Sequence, residues 1–159
     1  MNIIINTYEL ENYIKTHYVS KIKYIWDIDV KLRGVSFSNG VGRYEEEKYA
    51  FSDENGYNYI FPNKDGNREH FITNNILEIA YWIIDYEVYE ISMMFTVIRK
   101  SNVPDFRARL FVESLMIWRS LDEFGYEKKL AEIISTIEAI RNDKERDNIE
   151  SVLNNILFA

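Results

Sequence analysis

Tyr49-Ala50-Phe51-Ser52-Asp53-Glu54-Asn55-Gly56-Tyr57-Asn58-Tyr59-Ile60-Phe61 is the stretch whose reading decides the fold. Two aromatic-rich runs, Tyr49 to Phe51 and Tyr57 to Phe61, suit the pleated, half-buried surface of a sheet. Between them lies Asp53-Glu54-Asn55-Gly56, and Asn-Gly is a strong short-range hairpin signal. Tyr57, Tyr59 and Phe61 recur with period two, so they share one side of their strand. A sheet face that aromatic is expected to be buried against helices. Pro62 and Asn63-Lys64-Asp65-Gly66-Asn67 then make another turn, after which Arg68 to Ile72 is predicted to return as a third antiparallel strand.

Upstream, a helix is predicted from Thr7 to about His17. Asn6 can accept from the first-turn amides and Glu9 stands three residues later, the spacing of a capping box. Leu10, Tyr13, Ile14 and Tyr18 then share a face at helical spacing. Farther on, Ile22, Tyr24, Trp26, Ile28 and Val30 alternate with Lys23, Ile25, Asp27 and Asp29. That alternation points to a strand or an irregular packed segment. Leu32, Val35 and Phe37 add a short strand before a turn at Asn39-Gly40.

Downstream of Thr73 the whole chain reads as helix. Asn75 followed by Glu78 resembles a helix N-terminus, with Asn74 an equal candidate for the cap. From Ile76 to about Lys100 the side chains are apolar nearly all round, the mark of a central buried helix. Ser101-Asn102-Val103-Pro104 interrupts it, and proline is tolerated in a first helical turn. The next helix is expected to bury Phe106, Leu110, Phe111, Leu115, Trp118 and Leu121 and to stop at Gly125. A third places Leu130, Ile133, Ile134, Ile137 and Ile140 on one stripe, with Asp143 either ending it or capping the last helix. That last helix carries Ile149, Val152, Leu153, Ile156 and Leu157. Strands grouped first and helices grouped later give an α+β class. The expectation is a single domain over residues 1–159, with a small antiparallel sheet of about three or four strands packed on a layer of about four or five helices. Its C-terminal half is all helical.

A chain of 159 residues can bury a core without covalent staples. It has no cysteine, which removes disulfides, thiolate metal sites and cysteine nucleophiles and fits a reducing, cytoplasmic location. Met1-Asn2-Ile3-Ile4-Ile5-Asn6 has neither the basic start nor the apolar length of a signal peptide. The segment Ile76 to Ile98 contains Glu78, Asp85, Glu87 and Glu90, each costing about 2.5–3.5 kcal/mol at membrane depth. A membrane span is therefore not expected. The formal charge of −7 opposes nucleic-acid binding, which needs cations to displace phosphate counterions. Acidic surface instead favours a basic protein partner.

Motifs for catalysis are missing. His17 and His70 have no ligand-spaced companions, and Gly40-Val41-Gly42 lacks the third glycine and the strand–helix setting of a dinucleotide site. There is no phosphate loop, nucleophile elbow, zinc helix or calcium loop. No cofactor, metal or catalytic residue is expected, and the chain reads as a binder rather than an enzyme. The remaining route, a carboxylate pair about 5–9.5 Å apart across a cleft, needs geometry that residue counts do not supply. Glu45, Glu46, Glu47, Asp53 and Glu54 form a local acidic set. As a functional feature it would face a basic partner; its plain alternative is a solvated loop. Asp105, Arg109 and Glu113 recur every four residues, a spacing for structural intrahelical pairs worth a few tenths of a kcal/mol.

From Tyr49 to Gly125 the chain resembles the immunity protein 63 family of bacterial polymorphic-toxin systems. The likeness rests on the strand Tyr57-Asn58-Tyr59-Ile60-Phe61, then Arg68-Glu69 and Thr73, then Ile76-Leu77-Glu78-Ile79-Ala80-Tyr81-Trp82-Ile83-Ile84-Asp85. It closes on Asp105-Phe106-Arg107-Ala108-Arg109-Leu110-Phe111-Val112-Glu113, similar to that family's Asp-x-Arg-Arg-x-x-Phe helix. Ala108 departs from that pattern, with an arginine following at Arg109 instead. The resemblance implies a protein that binds the C-terminal domain of a cognate toxin, for which a basic nuclease is one suitable class, and blocks it sterically within the producing cell. It supplies no catalytic residue. A non-catalytic regulatory or adaptor domain for another cytoplasmic protein is the competing expectation.

Overall fold

The computed structural model describes residues 3–40, 47–98 and 106–157, with side chains through Asn155. The chain divides into two compact units, Met1–Glu87 and Val88–Ala159. It is α+β: a four-stranded sheet lies in the first unit and the C-terminal half is helical.

The first unit opens with a helix that is uninterrupted from Thr7 to Trp26: α1 (Thr7–Ile14), a π turn (Lys15–Val19) and α2 (Ser20–Trp26). Asn6 and Glu9 form the expected capping box, with Asn6 Oδ1 accepting from the Glu9 amide at 2.8 Å and Glu9 Oε2 accepting from the Asn6 amide at 3.0 Å. Leu10, Ile14, Tyr18 and Ile22 are buried, each four residues after the last. In an α-helix such a row drifts by about 40° per step. The wider π turn, with bonds from i to i+5, winds the row back so that it keeps facing one core. Ser20 marks that turn, since both its amide and its hydroxyl donate to the Lys15 carbonyl.

This helix corrects the strand-like reading of Ile22 to Val30. Tyr24 is 90% exposed and Ile25 is also exposed, so the alternation was a surface coincidence rather than a pleat. The helix ends at Asp27, which takes a left-handed conformation (φ 55°). Residues 28–34 then have no regular structure.

The strands are β1 (Val35–Ser36), β2 (Lys48–Asp53), β3 (Gly56–Pro62) and β4 (Arg68–Thr73), in that spatial order. The hairpin and the third strand form as expected, but β1 pairs with β2 in parallel, so the sheet is mixed rather than antiparallel. Asp53 pairs with Gly56, which leaves Glu54 and Asn55 as the two turn residues. Asn-Gly therefore marks the exit of the turn, not its centre. Gly56 opens β3 at φ 124°, where a Cβ would lie 2.7 Å from the Thr73 carbonyl oxygen. Tyr57 and Tyr59 are buried and Phe61 half-buried. Tyr59, Phe61, Phe71 and Trp82 close a ring of aromatic contacts, with centroids 5.4, 5.1, 5.3 and 6.4 Å apart around it. Each pair lies in the range where edge and offset packing adds to area burial.

The second unit comprises the later part of α3 (Ile76–Ile98), α4 (Phe106–Leu121), α5 (Glu123–Glu138) and α6 (Asp143–Leu157). Ala108, Val112, Leu115, Ile133, Ile137, Ile149 and Leu153 form its core. Burying an aliphatic side chain of this size contributes about 1.5–3 kcal/mol. Ser114 Oγ lies 3.1 Å from Ser92 Oγ, and each hydroxyl also bonds to the carbonyl four residues earlier in its own helix. This polar pair satisfies both hydroxyls at the point where α3 and α4 meet.

Four expectations are corrected here. Gly125 does not end α4; it sits in the first turn of α5, where a Cβ would fall 2.0 Å from the buried Trp118 ring. Asn142, not Asp143, caps α6, its Oδ1 accepting from the Glu145 amide at 3.1 Å. Phe106 and Ile134 are exposed, at 52% and 46%, because the stripe facing the core is narrower than the run of apolar residues. Finally, α3 is not buried all round. Ile79, Ala80, Ile83, Ile84, Val88 and Ile91 are buried, while Tyr89, Met94, Val97 and Ile98 are exposed. Its N-terminus is capped by Asn75, whose Oδ1 accepts from the Leu77 amide. The interrupting residues 101–104 and Asp105 lie outside the described residues.

Candidate partner-binding surface

Of the five acidic residues singled out from the sequence, Glu45 and Glu46 lie outside the described residues. Glu47 is half-buried just before β2, and its carboxylate accepts from the Tyr49 hydroxyl at 3.4 Å. Asp53 and Glu54 are exposed at the other end of that strand. At about 3.3 Å per residue, Glu47 and Asp53 are about 20 Å apart. The fold therefore does not gather these three into one patch.

Asp53 is also engaged at home. Its Oδ1 accepts from the Asn55 amide at 2.8 Å. The Asn58 side chain and then the Asn55 amide hold its carboxyl below the ordinary carboxylate range. Asn58 is itself buried, and its Nδ2 donates to the Gly56 carbonyl. Its Oδ1 is left to accept from His70 Nε2 at 2.7 Å. Asp53, Asn58 and His70 thus form a polar tie across three strands. His70 acts as a donor that steadies the sheet.

On α4, Arg109 and Glu113 approach to 4.0 Å with side chains only 11% and 8% exposed. Arg109 Nε is buried without a hydrogen-bond partner. The pair is intrahelical, as its spacing implies, and largely buried. Nearby, Arg107 ties α4 to α6 through Glu145 at 3.2 Å.

Clefts on the helical unit include two lined mostly by apolar side chains. One, about 190 Å³, is lined by Val112, Leu115, Met116, Tyr126 and Leu153 with Arg119 at its edge. The other, about 290 Å³, is lined by Leu130, Ile134, Ile137 and Leu153 with Glu138 and Glu150. Among the described residues, no three His, Asp or Glu side chains are placed to hold a metal. The Tyr59 hydroxyl is pushed up from its ordinary range by burial and, secondarily, by the charges of Asp85 and Glu87. It stays a neutral phenol and serves packing.

No family model, no curated protein and no solved structure matches this chain.

What sequence reading missed is the open face on the later part of α3. Tyr89, Met93 and Val97 form one row at four-residue spacing, and Glu90, Met94 and Ile98 form the next. Val97 and Ile98 are 65% and 67% exposed, and Tyr89 and Met94 are also exposed. Tyrosine and methionine are enriched at protein interfaces. Glu90 sets a carboxylate among them. The signal was present in the sequence: a helix apolar on two sides has one side for its own core and another for something else. Tyr86, one turn earlier, already has the Lys48 ammonium 3.7 Å from its ring centroid. Among the described residues no helix is long and apolar enough to cross a membrane.

Proposed function

We propose that this chain is a toxin-neutralising immunity protein that works by occlusion in the cytoplasm of the producing cell and has no catalytic activity of its own. The observation that carries the reading is the exposed Tyr89–Met94–Val97–Ile98 surface of α3, which offers anchoring side chains with a carboxylate among them. The resemblance between Tyr49 and Gly125 supports the same reading. Its departure at Ala108 has a local reason, since that side chain is fully buried in the helical core and an arginine there would be a buried charge. A cationic toxin domain would be steered by the chain's net charge of −7 and anchored by the apolar rows of α3. An interface of ordinary size would bury about 1,200–2,000 Å² in total.

The test is growth rescue. The chain is co-expressed with the C-terminal toxin domain encoded by the adjacent gene, as wild type and as a Tyr89→Ala/Val97→Asp variant. The wild type is expected to restore growth and to bind the toxin stoichiometrically. The variant is expected to lose affinity by at least about thirtyfold, the size of a hot-spot loss of about 2 kcal/mol, with its melting temperature unchanged. Continued killing in the presence of folded wild-type protein would overturn the proposal. Equal rescue by the variant would remove α3 as the binding face. Reversing Glu47 and Glu54 to lysine is expected to slow association at low salt and leave dissociation nearly unchanged.

A further inference from the structure

The two edges of the sheet differ. On one side β1 is only two residues long; on the other, β4 presents six residues with an unbroken register to β3 and no bulge. Natural edge strands are usually protected from pairing by lysine, proline, a bulge or a covering segment. From His70 to Thr73, β4 has neither lysine nor proline. Phe71 and Ile72 are neighbours and so point to opposite faces, yet they are 41% and 51% exposed. Among the described residues no further strand pairs with β4, and side chains on both of its faces reach solvent.

The hydrogen-bond phase of that edge follows from the adjoining turn. The Asn63 amide donates to the Asn67 carbonyl at 2.7 Å, making 63 and 67 a bonded pair. Antiparallel pairs alternate between bonded and non-bonded. Phe61–Glu69, Tyr59–Phe71 and Tyr57–Thr73 are then the bonded pairs, and Arg68, His70 and Ile72 aim their amides and carbonyls outward.

We infer that β4 is a self-association edge, at which a second copy of this chain adds its own β4 antiparallel to form a continuous eight-stranded sheet across a two-fold axis. Three two-fold registers pair outward groups near the strand's middle. Centring on Glu69 opposes it to the partner copy's Glu69, which repels. Centring on His70 sets Arg68 against Ile72 and Glu69 against Phe71, charges against apolar groups. Centring on Phe71 pairs His70 with Ile72 through reciprocal backbone bonds, sets Glu69 beside Thr73, and brings the two Phe71 rings together at a close, non-bonded position. That register opposes no like charges and extends the Tyr59–Phe61–Phe71–Trp82 ring cluster from one copy into the other. The Asn58–His70 bond is untouched by it, because it lies within one sheet.

The inference is independent of any toxin and is tested on the chain alone. Sedimentation through the micromolar range is expected to show a monomer–dimer equilibrium. Amide exchange at His70 and Ile72 is expected to slow as concentration rises, while Glu69 and Phe71 are protected at every concentration. Ile72→Lys, and Ile72→Pro, which removes an outward amide and no bond to β3, are each expected to raise the dimer dissociation constant at least about tenfold with the melting temperature retained. Glu69→Pro, which removes an inward bond, is expected to lower the melting temperature instead. A monomer throughout the range, a dimer indifferent to Ile72→Lys, or unaltered exchange at His70 and Ile72 would each overturn it.

Discussion

The chain contains nearly the same tetrapeptide twice, Asp53-Glu54-Asn55-Gly56 and Asp122-Glu123-Phe124-Gly125, and puts it to two uses. In the first unit it turns β2 into β3. In the second it starts α5. Both aspartates accept from backbone amides, Asp53 from Asn55 and Asp122 from Gly125. Both glycines stand where a Cβ would collide, against the Thr73 carbonyl in one case and the Trp118 ring in the other. The difference lies in what flanks them. Period-two aromatics around the first copy commit it to a sheet, and helical spacing around the second commits it to a helix. A short polar motif says that the chain changes direction; the periodicity on either side says into what.

Substitutions at matched positions can break that comparison. Gly56→Ala is expected to cost most, about 2–4 kcal/mol, since it combines a disfavoured φ with a clash against backbone that cannot move aside. Urea unfolding should register the loss, and faster amide exchange in β2 and β3 should localise it. Gly125→Ala is expected to cost less, about 1–3 kcal/mol, because a helical φ suits alanine and only the Trp118 ring must yield. Combining it with Trp118→Leu should give a total smaller than the sum of the two single losses, a coupling a double-mutant cycle reads directly. If Gly56→Ala proved the milder of the two, backbone conformation would not be the deciding constraint at the hairpin.

Smaller effects sharpen the same contrast. Asp122→Ala removes the cap of α5 and is expected to cost about 1 kcal/mol by urea denaturation. Asp53 should reveal itself through pH. Its carboxyl is held below its ordinary value of 3.8 in the folded chain by the Asn58 side chain and the Asn55 amide. Its contribution is therefore complete above that value and is lost as pH falls through the lower, folded-state one. Acid titration of stability is expected to fall less steeply below pH 3.8 in Asp53→Asn than in the wild type. Parallel curves would mean that the carboxylate carries no part of the turn.

Much of the architecture was legible. The Asn6–Glu9 box, the hairpin, the return strand and the helical second half each have a local cause, so neighbours along the chain suffice to find them. The misreadings share a different cause. From Ile22 to Val30 an alternating pattern competed with the four-residue row Leu10–Ile14–Tyr18–Ile22, and the row prevailed because it is the one that meets a core. At Gly125 the glycine resembled a helix stop, while its actual reason is a tryptophan seven residues earlier, folded back on it. The acidic set looked continuous because its members are close in sequence; an extended strand places Glu47 and Asp53 at opposite ends.

By itself, the sequence determined most element types, the Asn6–Glu9 capping box, the α+β class and the acidic net charge. Those follow from the periodicity, propensity and charge of residues near one another along the chain. Only the tertiary structure decided that side chains on one face of α3 are exposed, that β1 joins in parallel, and that β4 is the outer strand of the described sheet. Exposure belongs to no residue or segment alone. It depends on which distant parts of the chain come to lie against it, and that is settled only when the whole chain has packed.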